Sequence, residues 1–325
     1  MSFSIAGTGS ALPGETVSNE RLGEFLQTSD EWIRTRTGIK NRHVMTSESL
    51  KDLAMEAAKN ALRMSDTLAL DLDLIICSTV SPDHVIPTLA CEVQLALGAN
   101  CPAFDLNAAC SGFIYALDIA AGYFARKKDS RVLVIAADAM SRIVDWRDRA
   151  TCVLFGDGAG AALLKEGDDL RAITIGAQGS ETIIALPGPK GNSPFAPQTE
   201  SHPFVTMEGK EVYRFAVSSS VRDLLKVLDM ANLREEDIDL VLLHQANARI
   251  LEAVSARMNI PGDKFPSNIA ECGNISSASI PILLDELNRK GALRPGQTLA
   301  MSAFGGGLTT GACIIQWHGT GPEAL

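Results

Sequence analysis

The stretch Phe104-Asp-Leu-Asn-Ala-Ala-Cys110-Ser-Gly-Phe-Ile-Tyr115 decides how this chain folds. Residues 102–106 read as a short strand, which gives way to the small residues Asn107, Ala108 and Ala109. Beyond Cys110, apolar side chains at Phe113, Ile114, Leu117, Ala120, Ala121 and Phe124 recur every three or four positions, the period of a helix with one buried face. Lys127 and Lys128 close that helix. Cys110 therefore falls at a strand-to-helix turn, where unpaired N–H groups and the positive end of the macrodipole favour thiolate over thiol. The competing reading is an inert buried thiol, the usual state of a free cysteine. Small neighbours leave the Cys110 sulfur reachable, whereas Cys77, Cys91 and Cys313 lie in apolar runs and are expected in the core.

Working outward, the pattern around this stretch occurs twice. Asp71-Leu-Asp73-Leu-Ile-Ile-Cys77 returns as Asp237-Ile-Asp239-Leu-Val-Leu-Leu243, 166 residues later and again after a helical pattern. Arg131-Val-Leu-Val-Ile-Ala-Ala and Gln297-Thr-Leu-Ala-Met-Ser-Ala are also 166 apart, and Cys110 and Asn274, each opening a helix, are 164 apart. Glycine-rich turns at Phe155-Gly-Asp-Gly and Phe304-Gly-Gly-Gly each precede an apolar strand. Four matches in one order at a near-constant offset indicate a duplicated α/β half. The sequence predicts one half over 1–170 carrying the nucleophile and a second over 171–325, packed as a layered α/β/α/β/α core. Continuous apolar strands buried on both faces predict mainly parallel sheets. The proline- and glycine-rich segment 181–205 has no clear period and reads as a pocket wall or lid, or else as surface disorder.

Composition excludes several classes. No stretch reaches the ~20 apolar residues of a membrane helix, and residues 1–11 lack a basic leader with an apolar core, so a soluble, cytoplasmic protein is expected. Seven cysteines without a C-x-x-C pair suggest neither a disulfide framework nor a metal site. A net charge of −10 argues against nucleic-acid binding, and any acidic partner must find a local basic patch.

The repeat should bring Cys110, His244 and Asn274 to the carboxyl ends of strands, where ligands of parallel sheets gather. His244 ends a buried apolar strand and leads into Gln-Ala-Asn247, while His43, His84, His202 and His318 lack such a setting. Asn274 is also a plausible turn or helix cap. Phe304-Gly-Gly-Gly307 serves either as a tight bend or as close-approach backbone for an oxyanion. Trp32 stands among Arg34, Arg36, Lys40 and Arg42, which fits a solvated charged face or a nucleotide clamp equally.

Asn-Ala-Ala-Cys110-Ser-Gly-Phe, His244-Gln-Ala-Asn247, Gly273-Asn274 and Phe304-Gly-Gly-Gly307 together resemble the beta-ketoacyl-[acyl-carrier-protein] synthase III family of thiolase-fold condensing enzymes. Glu31-Trp32-Ile-Arg-Thr-Arg36-Thr-Gly-Ile39, Asp148-Arg149, Phe155-Gly-Asp-Gly-Ala-Gly160 and Met207-x-Gly209 extend the resemblance over essentially the whole chain, with Ile275 as a departure. It implies a thiolase-like fold and a homodimer. It also implies decarboxylative condensation of an acyl-CoA primer with malonyl-acyl-carrier protein, with no resident cofactor or metal. By the same resemblance Cys110, His244 and Asn274 are catalytic, and the N–H groups of Cys110 and Gly306 form the oxyanion hole. Trp32, Arg36, Arg149 and Asn247 bind CoA, while Ile86, Phe155 and Phe304 shape the acyl pocket. Arg214, Arg249 and Arg257 are expected to dock the carrier protein. The runner-up is an enzyme of the same fold serving secondary metabolism with an unusual starter or acceptor. A cysteine hydrolase needs neither Asn274 nor the CoA-binding arginines.

Overall fold

The apolar runs at 133–137 and 299–303 are buried along their whole length, and each is an inner strand of its own sheet. A computed structural model describes residues 2–188, 194–195 and 203–319. The first half contains β1 (Ser2–Ala11), β2 (Thr16–Ser18), α1 (Asn19–Gly23), α2 (Asp30–Thr37), β3 (Asn41–His43), α3 (Leu50–Met64) and β4 (Leu74–Ser78). It continues through α4 (Leu89–Leu97), β5 (Ala103–Leu106), α5 (Gly112–Arg126), β6 (Arg131–Ala139) and β7 (Asp157–Gly167). The second half contains β8 (Leu170–Ala177), β9 (Ile184–Ala185), β10 (Thr206–Met207), α6 (Gly209–Met230), β11 (Leu240–Leu243) and α7 (Ala248–Ser255). It ends with α8 (Ile269–Cys272), α9 (Ser279–Arg289), β12 (Thr298–Gly305) and β13 (Thr309–Gln316).

Strand order makes the duplication explicit. The first sheet runs β1-β7-β6-β4-β5 and the second β8-β13-β12-β11, the same order short of one edge strand. Three apolar clusters fill the spaces between five layers. One joins α3 and α4 to the outer face of the first sheet, and the second holds α5 and α9 between the two sheets. The third joins α6 and α7 to the outer face of the second sheet. Ile275, the departure from the family pattern, is 1% exposed and packs in the central cluster.

The sheets are mixed rather than mainly parallel. Among the named strands of the two large sheets, β4–β5, β4–β6 and β11–β12 pair in parallel, while β6–β7, β1–β7, β12–β13 and β13–β8 are antiparallel. Two-sided burial reports helices above and below a sheet and is indifferent to strand direction, which is why the apolar runs misled. Cys91 also departs from expectation: it lies exposed at the start of α4, whereas Cys77 and Cys313 are buried. Helix α1 stops at Gly23, consistent with glycine's poor helix propensity.

Helix α3 begins at a capping box formed by Ser49 and Asp52 and buries a stripe of alanines, Ala54, Ala57, Ala58 and Ala61. That small stripe lets β1 approach so closely that a Cβ on Gly9 would lie 2.1 Å from the Ala57 carbonyl oxygen. Gly9→Ala is expected to destabilise the fold by about 1–3 kcal/mol, the usual scale of overpacking, read as a lower denaturant midpoint. An unchanged midpoint would contradict this packing.

Of the segment 181–205, residues 189–193 and 196–202 lie outside the described residues, as does His202. The rest is partly ordered: β9 pairs antiparallel with β10, and Ile184, Leu186 and Val205 line the principal cavity, so the pocket-wall reading fits these residues.

Candidate active site

Cys110, His244 and Asn274 line one cavity of about 680 Å³. Cys110 sits in the single 3-10 turn Ala109–Ser111 between β5 and α5. Ala109 takes the left-handed conformation, φ 46°, and the Asn107 side-chain oxygen accepts its N–H at 3.1 Å. The glycine turn presses on this elbow from the other half: a Cβ on Gly305 would lie 2.6 Å from the Cys110 backbone nitrogen. Thr309, just beyond that turn, donates its hydroxyl to the Ala108 carbonyl at 2.8 Å. Gly306 also stands against this loop, a Cβ on it lying 3.6 Å from the Ala109 Cβ.

The expected thiolate is not the resting form. Burial pushes the Cys110 thiol up to about 12, the Asp138 charge adds to that, and hydrogen bonding by Ser276 only partly opposes it. Desolvation of the anion outweighs the dipole because the regular helix starts two residues later, at Gly112. Cys110 is partly accessible, reached through the cavity.

His244 follows β11, with its backbone N–H donating to the Ser302 carbonyl at 2.9 Å. Its ring meets Phe304 edge-on at 5.2 Å between centroids, and the residue is 1% exposed. Among the described residues Nδ1 is buried without a hydrogen-bond partner, and burial lowers the pKa to about 3. The ring is neutral at physiological pH.

Asn274 pairs with Phe155 in an isolated β-bridge, its N–H donating to the Leu154 carbonyl and its carbonyl accepting from Gly156. Its side-chain oxygen accepts the Ser276 N–H at 2.8 Å. That bond assigns the oxygen and leaves the amide nitrogen as the free donor. Ser276, like Ala109, is left-handed, φ 47°. The two turns, Ala109–Ser111 and Ser276–Ala278, stand 167 residues apart and open α5 and α9, so the symmetry mate of Asn274 is Asn107. Cys110 corresponds to Ser277. The pairing of Cys110 with Asn274, 164 apart, is thereby corrected: both meet at the cavity, but from non-equivalent positions.

Arg36, which lines the cavity, and Arg149 bring their guanidiniums to 4.6 and 4.9 Å from the ring centroid of Trp32 in α2. Arg149 also donates to the Gln27 carbonyl at 2.6 Å. Asn247 has a structural job: its amide donates to the Arg36 carbonyl, and its oxygen caps α7 through the Arg249 N–H. Arg249 lines the cavity and donates to the Thr35 carbonyl. Arg257 is exposed beyond α7, and Arg214, also exposed, pairs with Glu211 at 2.9 Å. Phe155 and Phe304 are buried against the cavity. Ile86 is 88% exposed and does not line the cavity of its own chain. The sequence reading missed Asn107, Asp138 and Ser276. Asn107 and Ser276 belong to the very motifs that it singled out, but nothing local marks a left-handed alanine or serine.

Among the described residues no group of histidines, cysteines and carboxylates could hold a metal, and no helix is long and apolar enough to cross a membrane. Residues 104–179 match the 3-oxoacyl-[acyl-carrier-protein] synthase III family and residues 228–317 its C-terminal family. The chain is 44% identical to a beta-ketoacyl-[acyl-carrier-protein] synthase III of Clostridium perfringens, over 96% of this chain and 98% of that one. It is 45% identical to the protein of that name from a Nostoc species, over 98% of each. A crystal structure of 3-oxoacyl-[acyl-carrier-protein] synthase III from Aquifex aeolicus superposes with a TM-score of 0.91 at 42% identity, covering 97% of this chain and 100% of that one. With this similarity running nearly end to end over a shared thiolase fold, the chain belongs to the beta-ketoacyl-[acyl-carrier-protein] synthase III family.

Proposed function

We propose that this enzyme initiates type II fatty-acid synthesis by condensing an acyl-CoA primer with malonyl-acyl-carrier protein, with Cys110, His244 and Asn274 dividing the work. The observation that carries the division is that these three side chains share one cavity, with the His244 ring neutral. In the first half-reaction the Cys110 sulfur attacks the primer thioester, and the N–H groups of Cys110 and Gly306 hold the oxyanion. CoA leaves and malonyl-carrier protein enters. The neutral His244 ring and the Asn274 amide donate hydrogen bonds to the malonyl thioester oxygen. Loss of carbon dioxide then yields an enolate held by two donors, which attacks the acyl-Cys110 carbonyl and releases 3-ketoacyl-carrier protein. All carbon chemistry passes through protein groups and thioesters, so no resident cofactor has a role.

The primer's adenine stacks on Trp32 by displacing one of the two guanidiniums now covering the indole, and Arg36 and Arg149 then serve the CoA phosphates. Asn247 acts through Arg36 and α7. The acyl chain lies against Phe155 and Phe304. The irregular boundary near residue 170, where β7 ends and β8 begins, divides the halves. The assembly is a cytoplasmic homodimer: among the described residues β5 is the outer edge of its sheet, and nearby Val85, Ile86 and Leu95 are 73%, 88% and 80% exposed. Ile86 thereby reaches the partner's acyl pocket.

Arg214, Arg249 and Arg257 form the docking face for the acidic carrier protein. Arg249→Glu should raise the KM for malonyl-carrier protein about tenfold at low salt and change acyl loading little, with the gap closing as ionic strength rises. An unchanged KM contradicts the docking face. The function itself is tested by supplying acyl-CoA with malonyl-acyl-carrier protein. The expected product is 3-ketoacyl-carrier protein. Free acid would identify a hydrolase, and indifference to malonyl-carrier protein would identify a secondary-metabolism enzyme.

A further inference from the structure

The twin turns of the two halves face different residues on the strands beside them. Arg131 opens β6 and Thr298 opens β12, and each gives its N–H at 2.8 Å to the aspartate just before the neighbouring strand, Asp73 or Asp239. Seven residues on, Asp138 therefore corresponds to Gly305. Cys110 and Ser277 correspond in the same way, each directly after the left-handed residue of its turn, Ala109 or Ser276. Beside Cys110 the strand offers no side chain, and a Cβ on Gly305 would lie 2.6 Å from the Cys110 nitrogen. Beside Ser277 it supplies a carboxyl group, whose Oδ2 accepts the Ser277 N–H at 3.2 Å and the Ser277 hydroxyl at 2.9 Å. Cys110 lines the cavity, whereas Ser277 is 1% exposed and sealed by Asp138.

Asp138 is fully buried and anchored on its other side to the first half. Its Oδ1 accepts from the Val80 N–H at 2.7 Å and from the Thr79 and Ser81 hydroxyls, each at 3.2 Å. Backbone N–H groups only donate, and one of them faces each oxygen, so both oxygens are held as acceptors. The carboxyl group thus ties β6 and the 79–81 loop to the Ser276–Ala278 turn of the second half. That turn needs a hold, because a serine keeps a left-handed backbone only under constraint. The Ser276 N–H goes to the Asn274 side-chain oxygen at 2.8 Å, and the next N–H along, that of Ser277, goes to Asp138. Ser276 is pinned from both sides, by Asn274 before it and by Asp138 after it. The same Ser276 bond orients the Asn274 amide, so the carboxamide keeps its aim only while the turn keeps its shape.

We propose that Asp138 is a positioning residue for the condensation half-reaction: through Ser277 it holds the Ser276 turn, and through that turn it aims the Asn274 amide at the malonyl thioester oxygen. It touches neither substrate nor any reacting atom. The Asn274 backbone is fixed separately, by the Leu154 carbonyl and the Gly156 N–H, so loss of Asp138 disturbs the direction of the carboxamide rather than the place of its loop. The inference rests on the donor role proposed above for Asn274, and the experiment separates the two.

Decarboxylation of malonyl-carrier protein, read as carbon dioxide release, and acyl loading from acetyl-CoA, read by intact mass, are measured for the unaltered enzyme, D138A, S277A and N274A. The double variants D138A/N274A and S277A/N274A complete two cycles. S277A deletes only the shorter of the two bonds to the turn, so it reports even if D138A fails to fold. D138A and S277A should each lower decarboxylation at least about tenfold more than loading, because a donor slightly out of place loses most of its effect. In the N274A background each should change decarboxylation by less than about twofold, since there is no amide left to aim. Equal losses in both half-reactions, undiminished decarboxylation, or the same loss with and without Asn274 would overturn the positioning role. Decarboxylation at the unaltered rate in N274A alone would instead overturn the donor reading of Asn274.

Discussion

Cys110→Ala is expected to lower acyl loading and overall condensation by more than about ten-thousandfold, as loss of a covalent nucleophile does elsewhere. Malonyl-carrier protein decarboxylation should continue in the same variant, because His244 and Asn274 reach the cavity from the other half of the chain and depend on no bond to the sulfur. The two assays are intact-mass measurement of the acyl adduct and release of carbon dioxide from malonyl-carrier protein. Loss of both activities together would mean that Cys110 organises the cavity rather than reacting in it. The elbow argues otherwise, since it is held by the Asn107 and Thr309 side chains and by Gly305, none of which bonds to the thiol.

Asn274→Ala and His244→Ala should give the mirror image. Each removes one donor to the developing enolate, and such a loss costs about a hundredfold to a thousandfold, roughly 3–4 kcal/mol of barrier. Acyl loading onto Cys110 should persist in both. Protonation adds a second check. Because burial lowers the His244 pKa to about 3, the ring stays neutral through pH 5–8, and decarboxylation should show no inflection near the ordinary histidine value. The sign for stability follows: between about pH 3 and 6.5 the unfolded chain binds a proton at this position that the folded chain refuses. His244 therefore weakens the fold as pH falls below 6.5 and is silent above it. A decarboxylation profile that rises with protonation near pH 6.5 would contradict the neutral-donor role.

Much of this architecture is legible in the residues because burial leaves a periodic trace. The apolar runs at 74–78, 131–139, 240–243 and 298–305 are strands of two sheets with matching order, and the three- and four-residue spacing after Cys110 is α5. Strand direction was not legible, since a covered strand is apolar on both faces whichever way it runs. Nor was the register of the repeat at the active site. Aligning Cys110 with Asn274 matched chemistry to chemistry, whereas the backbone matches Asn107 to Asn274 through twin turns in which a carboxamide oxygen accepts the N–H two residues ahead. Each turn places a non-glycine residue, Ala109 or Ser276, at positive φ, a conformation those residue types do not advertise. The protonation state of Cys110 was misjudged because dipole and turn are readable along the chain, while desolvation and Asp138 belong to the folded interior.

The most direct test of the account is to incubate the unaltered enzyme with a panel of acyl-CoAs, weigh the intact protein, and map the added mass by peptide. The account predicts one acyl group per chain, confined to the peptide containing Cys110, and identifies the accepted primer from its mass. Acylation at another cysteine, or turnover with no covalent adduct at all, would contradict it.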